Sequence, residues 1–109
     1  MGNGELGPGG PGIEETENRS RVPEIRLMQN YPNPFSVKTV ISYQVPVTSK
    51  VSLKIYDVTG RLVKTLVDEL KSAGAYTVKL DGKDMPSGLY FYQLKVGQET
   101  RTKKLLLIR

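Results

Sequence analysis

The chain has 109 residues, with 16 Lys and Arg against 11 Asp and Glu, and no His, Cys or Trp. That length suits one domain. Without His or Cys there is no Cys/His zinc site, no thiol or imidazole catalysis, no disulfide framework and no Ser-His-Asp triad. Carboxylates, amines, hydroxyls and tyrosines are left, a set better suited to binding, support or addressing than to catalysis.

Residues 1–24 stand apart from the rest. The run Gly4-Glu5-Leu6-Gly7-Pro8-Gly9-Gly10-Pro11-Gly12 offers little apolar surface, and Glu14, Glu15 and Glu17 repel one another. Such a segment gains too little from burial to offset its ordering entropy and reads as a flexible linker. It carries five Glu against Arg19 and Arg21, a net −3, whereas residues 25–109 carry 14 basic and 6 acidic groups, a net +8. The start, Met1-Gly2-Asn3-Gly4-Glu5, has neither the basic opening nor the apolar stretch of a signal peptide. The longest apolar run is the four residues 105–108, against the ~20 that span a bilayer as a helix. No membrane insertion is expected.

Next comes Gln29-Asn30-Tyr31-Pro32-Asn33-Pro34-Phe35. Two prolines at i, i+2 fix φ and hold the preceding residues extended, which excludes helix and central strand. Asn30 and Asn33 can bond the local backbone, and Tyr31 and Phe35 are expected to clamp the segment onto the domain as a stiff strap.

From there the pattern has period two. Val37, Thr39, Ile41, Tyr43 and Val45 form one face, followed by Val51, Leu53 and Ile55, with Tyr56 on the opposite parity. After an ambiguous but strand-compatible stretch over 62–67 come Tyr76, Val78 and Leu80, then Tyr90, Tyr92, Leu94 and Val96, with Phe91 on the other face. The last run, 101–109, sets Leu105 and Leu107 against Leu106 and Ile108. This is the signature of half-buried strands. Asp57-Val58-Thr59-Gly60, Ala73-Gly74, Asp81-Gly82, Pro86-Ser87-Gly88 and Val96-Gly97 supply the turns. About seven short strands at this spacing predict an all-β, immunoglobulin-like antiparallel sandwich. Its expected core is Val37, Ile41, Tyr43, Val51, Leu53, Ile55, Val78, Leu80, Tyr90, Tyr92, Leu94 and Leu105.

Few residues invite chemistry. Asp81-Gly82-Lys83-Asp84 is too poor in oxygen ligands for Ca²⁺ and reads as a turn. Asp68 and Glu69, adjacent in sequence, read as solvated loop charge. Tyr43, Tyr76, Tyr90 and Tyr92 share parity with the aliphatic residues of their strands, which argues against an aromatic sugar-binding platform, and Tyr56 and Phe91 alone fall on the opposite parity. The lysines are spread over the solvent faces of several strands with no nucleic-acid recognition motif. No catalytic, cofactor-binding or metal residues and no cofactors are expected, and nucleic acid is not an expected partner.

The carboxyl tail is different. Lys103 and Lys104 precede an apolar run, Leu105-Leu106-Leu107-Ile108, that Arg109 closes. Apolar at both parities, it can face the core with one side and a partner with the other. An unpaired terminal edge would template β-augmentation, and the basic residues could steer the tail to an acidic receptor. Its competing reading is an ordinary last core strand with solvated lysines.

The strap, then Thr39-Val40-Ile41-Ser42-Tyr43, then Ile55-Tyr56-Asp57-Val58-Thr59-Gly60-Arg61-Leu62, then Ser87-Gly88-Leu89-Tyr90, and finally Lys103-Lys104-Leu105-Leu106-Leu107 occur in a characteristic order. In this the chain resembles the type A C-terminal sorting domain of the type IX (Por) secretion system. It is similar also to the immunoglobulin-like domain of flagellar hook-capping proteins. The likeness covers about residues 25–109. Ser36 stands where the family often has Asn, and the stretch between Gly82 and Ser87 is shorter than in many members.

The resemblance implies a non-catalytic address carried by a larger secreted protein, of which this chain is expected to be a fragment. The cargo would lie upstream and cross the periplasm before secretion or surface attachment. Shuttle and translocon proteins would be the partners, and a sortase-like peptidase would remove the domain by a cut in the linker. The domain itself is expected to be a monomer, and the family's export depends on the extreme carboxyl terminus, which favours residues 103–109 as the recognition segment. A structural spacer beside an extracellular enzyme, or a carbohydrate-binding module, is the alternative.

Overall fold

A computed structural model describes residues 24–109, so the linker expected over 1–24 lies, but for Glu24, outside the described residues. These residues form seven strands: β1 (Arg26–Leu27), β2 (Lys38–Val45), β3 (Ser49–Tyr56), β4 (Leu62–Lys71), β5 (Gly74–Asp81), β6 (Gly88–Val96) and β7 (Glu99–Leu107). All pairings are antiparallel, in a three-stranded sheet β1-β2-β5 and a four-stranded sheet β4-β3-β6-β7. The chain is an antiparallel β-sandwich with the crossed connectivity of immunoglobulin-like domains.

The two inner faces supply the core. Ile41, Tyr43, Val45 and Leu80 come from one sheet, and Val51, Leu53, Ile55, Tyr90, Tyr92, Leu94, Val96, Leu105 and Leu107 from the other. β2, β3 and β6 bury alternate residues, as their period-two pattern requires, whereas β5 fully buries Leu80 alone and β4 lies along the edge with no fully buried residue. Tyr43 stacks on the half-buried Tyr76 with ring centroids 5.4 Å apart. Val78 is only partly buried against this core.

Three expectations change. Val37 is 54% exposed, because β2 begins at Lys38 and Phe35 takes the core position at that end. Asp68 and Glu69 lie within β4 rather than in a loop, and they are still solvated, pairing with Lys50 at 3.4 Å and Lys71 at 2.9 Å. Tyr31 is 81% exposed, so Phe35 alone supplies the strap's aromatic anchor.

The strap crosses from the small sheet to the free edge of β7. Tyr31 bonds Val40 in both directions at 2.9 Å, and Phe35 N–H donates to the Leu106 carbonyl at 3.0 Å while its carbonyl accepts from Ile108 N–H at 2.9 Å. The Phe35 ring fills the space above Gly82. A Cβ built on Gly82 would meet Phe35 Cε2 at 3.0 Å and Leu107 Cδ1 and Cδ2 at 3.3 Å. Asn30, 2% exposed, is fully engaged: its Nδ2 donates to Pro32 O at 3.1 Å and Thr39 Oγ1 at 3.0 Å. Its backbone N–H donates to Tyr92 Oη at 2.8 Å, and that hydroxyl donates in turn to Met28 O at 2.7 Å. One tyrosine therefore pins the strap to β6.

Two stability predictions follow from this packing. Gly82→Ala should cost about 1–3 kcal/mol in urea unfolding, since a methyl cannot enter without moving Phe35 or Leu107. Tyr92→Phe leaves the buried Asn30 N–H without its acceptor and should cost ~1–3 kcal/mol. Burial pushes the Tyr92 hydroxyl up to about 12, above the ordinary tyrosine value of about 10. The fold favours the neutral phenol, so its contribution is complete below pH ~10 and is lost as pH rises through about 12. Unfolding free energy measured across that window should fall in the parent and fall less in Tyr92→Phe.

Candidate functional site

The carboxyl tail is an edge strand, and its outer edge is not open where the apolar run lies. Besides the Phe35 bonds, Leu106 N–H donates to Asn33 Oδ1 at 3.0 Å and Gln29 Nε2 donates to the Lys104 carbonyl at 2.7 Å. Residues 104–108 thus meet strap groups that stand in for a neighbouring strand. This corrects the expectation of an unpaired edge over residues 105–108.

The tail's side chains divide as their parity predicts. Leu105 and Leu107 are fully buried, while Leu106 and Ile108 are 37% and 51% exposed. Lys104 points outward and is exposed, whereas Lys103 is half-buried on the inner parity beside the rim. Arg109 is engaged structurally: its Nη2 donates to the Gly82 carbonyl and, at 2.6 Å, to Met85 O. It ties residue 109 to the β5–β6 loop, which leaves Lys104 as the outward, exposed basic side chain of residues 103–109.

Tyr56-Asp57 and Gly60-Arg61 form the β3–β4 turn. Asp57 Oδ1 accepts from Thr59 Oγ1 at 2.6 Å, Thr59 N–H at 2.9 Å and Arg61 N–H at 3.1 Å. The Thr59 hydroxyl and then the Arg61 amide hold its carboxyl below the ordinary aspartate value. Gly60 has φ of 87°, the left-handed conformation that closes such a turn. The Arg61 side chain is 84% exposed, with Nε 3.6 Å from Asp57 Oδ2.

Opposite lies the β5–β6 loop with Ser87 and Gly88. Tyr90, at the start of β6, donates its hydroxyl to Pro86 O at 2.5 Å. This is the tyrosine corner of immunoglobulin-like sandwiches, a hydroxyl returned to the backbone a few residues upstream. Burial raises the Tyr90 hydroxyl above its usual value. Turn and loop flank an open groove of about 450 Å³ lined by Asp57, Val58, Arg61, Leu62, Ser87 and Leu89. Asp81 Oδ1 accepts Lys83 N–H at 2.9 Å, a turn-forming contact that engages that carboxylate with its own backbone.

The structure therefore brings the tail, the strap and the β5–β6 loop together at one end of the sandwich, with the Asp57–Arg61 turn across the groove. Sequence reasoning missed the strap's side-chain amides as edge caps, the Arg109 tie and the tyrosine corner. Only the last left a signal, a tyrosine at a strand start four residues after a proline.

The search of curated proteins finds no match. A family model described as a secretion system C-terminal sorting domain matches residues 29–108, from the first residue of the strap that caps β7 to the penultimate residue of the chain. With most of its length inside that match, the chain belongs to the C-terminal sorting domain family of the type IX secretion system.

Proposed function

We propose that this domain directs an upstream cargo protein across the periplasm to the type IX outer-membrane translocon and on to secretion or surface attachment. The domain has no catalysis of its own. It serves as the ligand of shuttle and translocon proteins and as the substrate of a sortase-like peptidase that cuts before the strap. The observation that carries this reading is the family match over residues 29–108, which includes the strap and the tail together.

Recognition is assigned to the tail, residues 103–109. Leu105 and Leu107 anchor it in the core, leaving Lys104, Leu106 and Ile108 for a receptor. A receptor strand could reach the main chain of residues 104–108 only by displacing the strap, so side-chain contact through the outward row is the direct route. Lys104 steers that contact to an acidic surface.

The test fuses residues 13–109 behind a periplasmically exported reporter in a host with type IX secretion. The parent fusion should reach the medium or cell surface. Lys103→Glu/Lys104→Glu should keep its melting temperature within a few degrees and lose about tenfold or more in export, the effect of ~1.4 kcal/mol in recognition. A charge-reversed domain exported like the parent would remove the tail assignment. Deleting residues 104–109 would take out the buried Leu105 and Leu107, so the charge variant is the informative probe.

A further inference from the structure

Both outer faces of the sandwich are basic, but they differ in apolar content. On the three-stranded sheet, register sets Lys38 against Asp81 and Lys79 against Val40, with Arg26 beside Gln44, Ser42 beside Thr77, and the exposed Tyr31 bridged to Val40. The four-stranded sheet carries a contiguous apolar field instead. Register aligns Leu62, Tyr56, Phe91 and Lys104 in one row, and Leu89 with Leu106 in the next. Leu62, Leu89 and Leu106 are 50%, 37% and 37% exposed, and Tyr56 and Phe91 are half-buried.

The charge on the rest of that face is mostly basic, set among Ser52, Thr65, Gln93 and Thr102 and beside a further leucine, Leu70, 68% exposed next to Lys50. Lys50, Lys54 and Lys95 stand on outward positions of β3 and β6, and Lys104 closes the apolar row on β7. Asp68 is the acid that faces them among the described residues, and it is engaged with Lys50. No further layer of the described chain covers this face.

We infer that the outer face of β4-β3-β6-β7 docks an acidic protein surface with an apolar centre. The inference rests on the sorting reading and identifies the surface that a component of the export machinery would contact. The chemistry selects this occupant. Apolar side chains ringed by like charges fit the core-and-rim plan of a protein interface, in which the centre supplies buried area and the rim sets orientation and choice. A second copy of the chain would set lysine against lysine, a repulsive pairing. A bilayer is the competing occupant, and vesicle binding is an outcome of the test. The half-buried Tyr56 and Phe91 at the centre of the row suit the flat contact of a protein surface better than insertion among acyl chains.

The experiment uses the full chain behind the same exported reporter. Lys54→Glu/Lys95→Glu alters this face without touching the tail, and Leu89→Ser/Leu106→Ser alters its apolar rows. Lys38→Glu/Lys79→Glu imposes the same charge change on the opposite face. Each variant is checked by thermal melt. Both face variants should fold and lose about tenfold or more in export, while the opposite-face control loses no more than about twofold. A photoreactive residue at position 91 should cross-link to a host protein through a segment richer in Asp and Glu than in Lys and Arg.

A folded Lys54→Glu/Lys95→Glu variant exported like the parent would overturn the inference and leave the sorting reading standing. So would an equal loss in the control, or a cross-link to a basic segment. Binding of the purified chain to phosphatidylglycerol vesicles that Lys54→Glu/Lys95→Glu abolishes would replace the protein occupant with a membrane. A parent fusion retained in the periplasm would overturn the sorting reading, and this inference with it.

Discussion

The docking of Phe35 between Gly82 and Leu107 is the contact on which the rest of this structure depends. It closes the end of the core where β2, β5 and β7 would otherwise leave a gap, and it requires a glycine because a Cβ would lie 3.0 Å from the ring. The same residue's backbone caps the edge of β7 through Leu106 and Ile108. One side chain and one peptide unit thus tie the beginning of the domain to its end. Burial of an aromatic ring contributes on the order of 3–5 kcal/mol to such a small sandwich, a large share of the 5–15 kcal/mol typical of a domain.

That tie changes how the tail should be understood. An exposed terminal edge invites pairing with any extended chain, and proteins cover or charge such edges. Here the strap covers residues 104–108 with a mixture of main-chain and amide side-chain groups. The main chain of residues 104–108 meets strap groups within the domain, while the outward side chains of Lys104, Leu106 and Ile108 stay exposed. For a secretion address this has a physical advantage: the signal can be read by surface complementarity without an open edge that would pair indiscriminately in transit.

Most of the fold was legible from period-two patterning and turn residues. Tyr43, Tyr92, Leu94 and Leu105 fall on the buried face because alternation along a strand admits only two assignments. Val37 continued the pattern of β2 and yet lies outside it, since the strand starts one residue later and Phe35 fills the pit that parity assigned to Val37. Tyr31 shows the converse limit: an aromatic beside a proline announces a rigid segment but not which ring turns inward. The contacts that cap the tail join residues more than 70 apart, from Gln29 to Lys104 and from Asn33 to Leu106. A local pattern carries no trace of them. The outer apolar field arises likewise from register between four strands; the parity of Tyr56, Phe91 and Leu106 was readable, but that of Leu62 was not, since β4 pairs with β3 through register shifts.

Native-state amide exchange along β7 decides whether the strap holds the tail's edge in place. Alternation directs the amides of Thr100, Thr102, Leu106 and Ile108 to the same outer edge, and the strap reaches only the last two. Leu106 and Ile108 should exchange as slowly as amides of the central strands β3 and β6, through global opening, while Thr100 and Thr102 exchange quickly. Equal, rapid exchange at all four would contradict it.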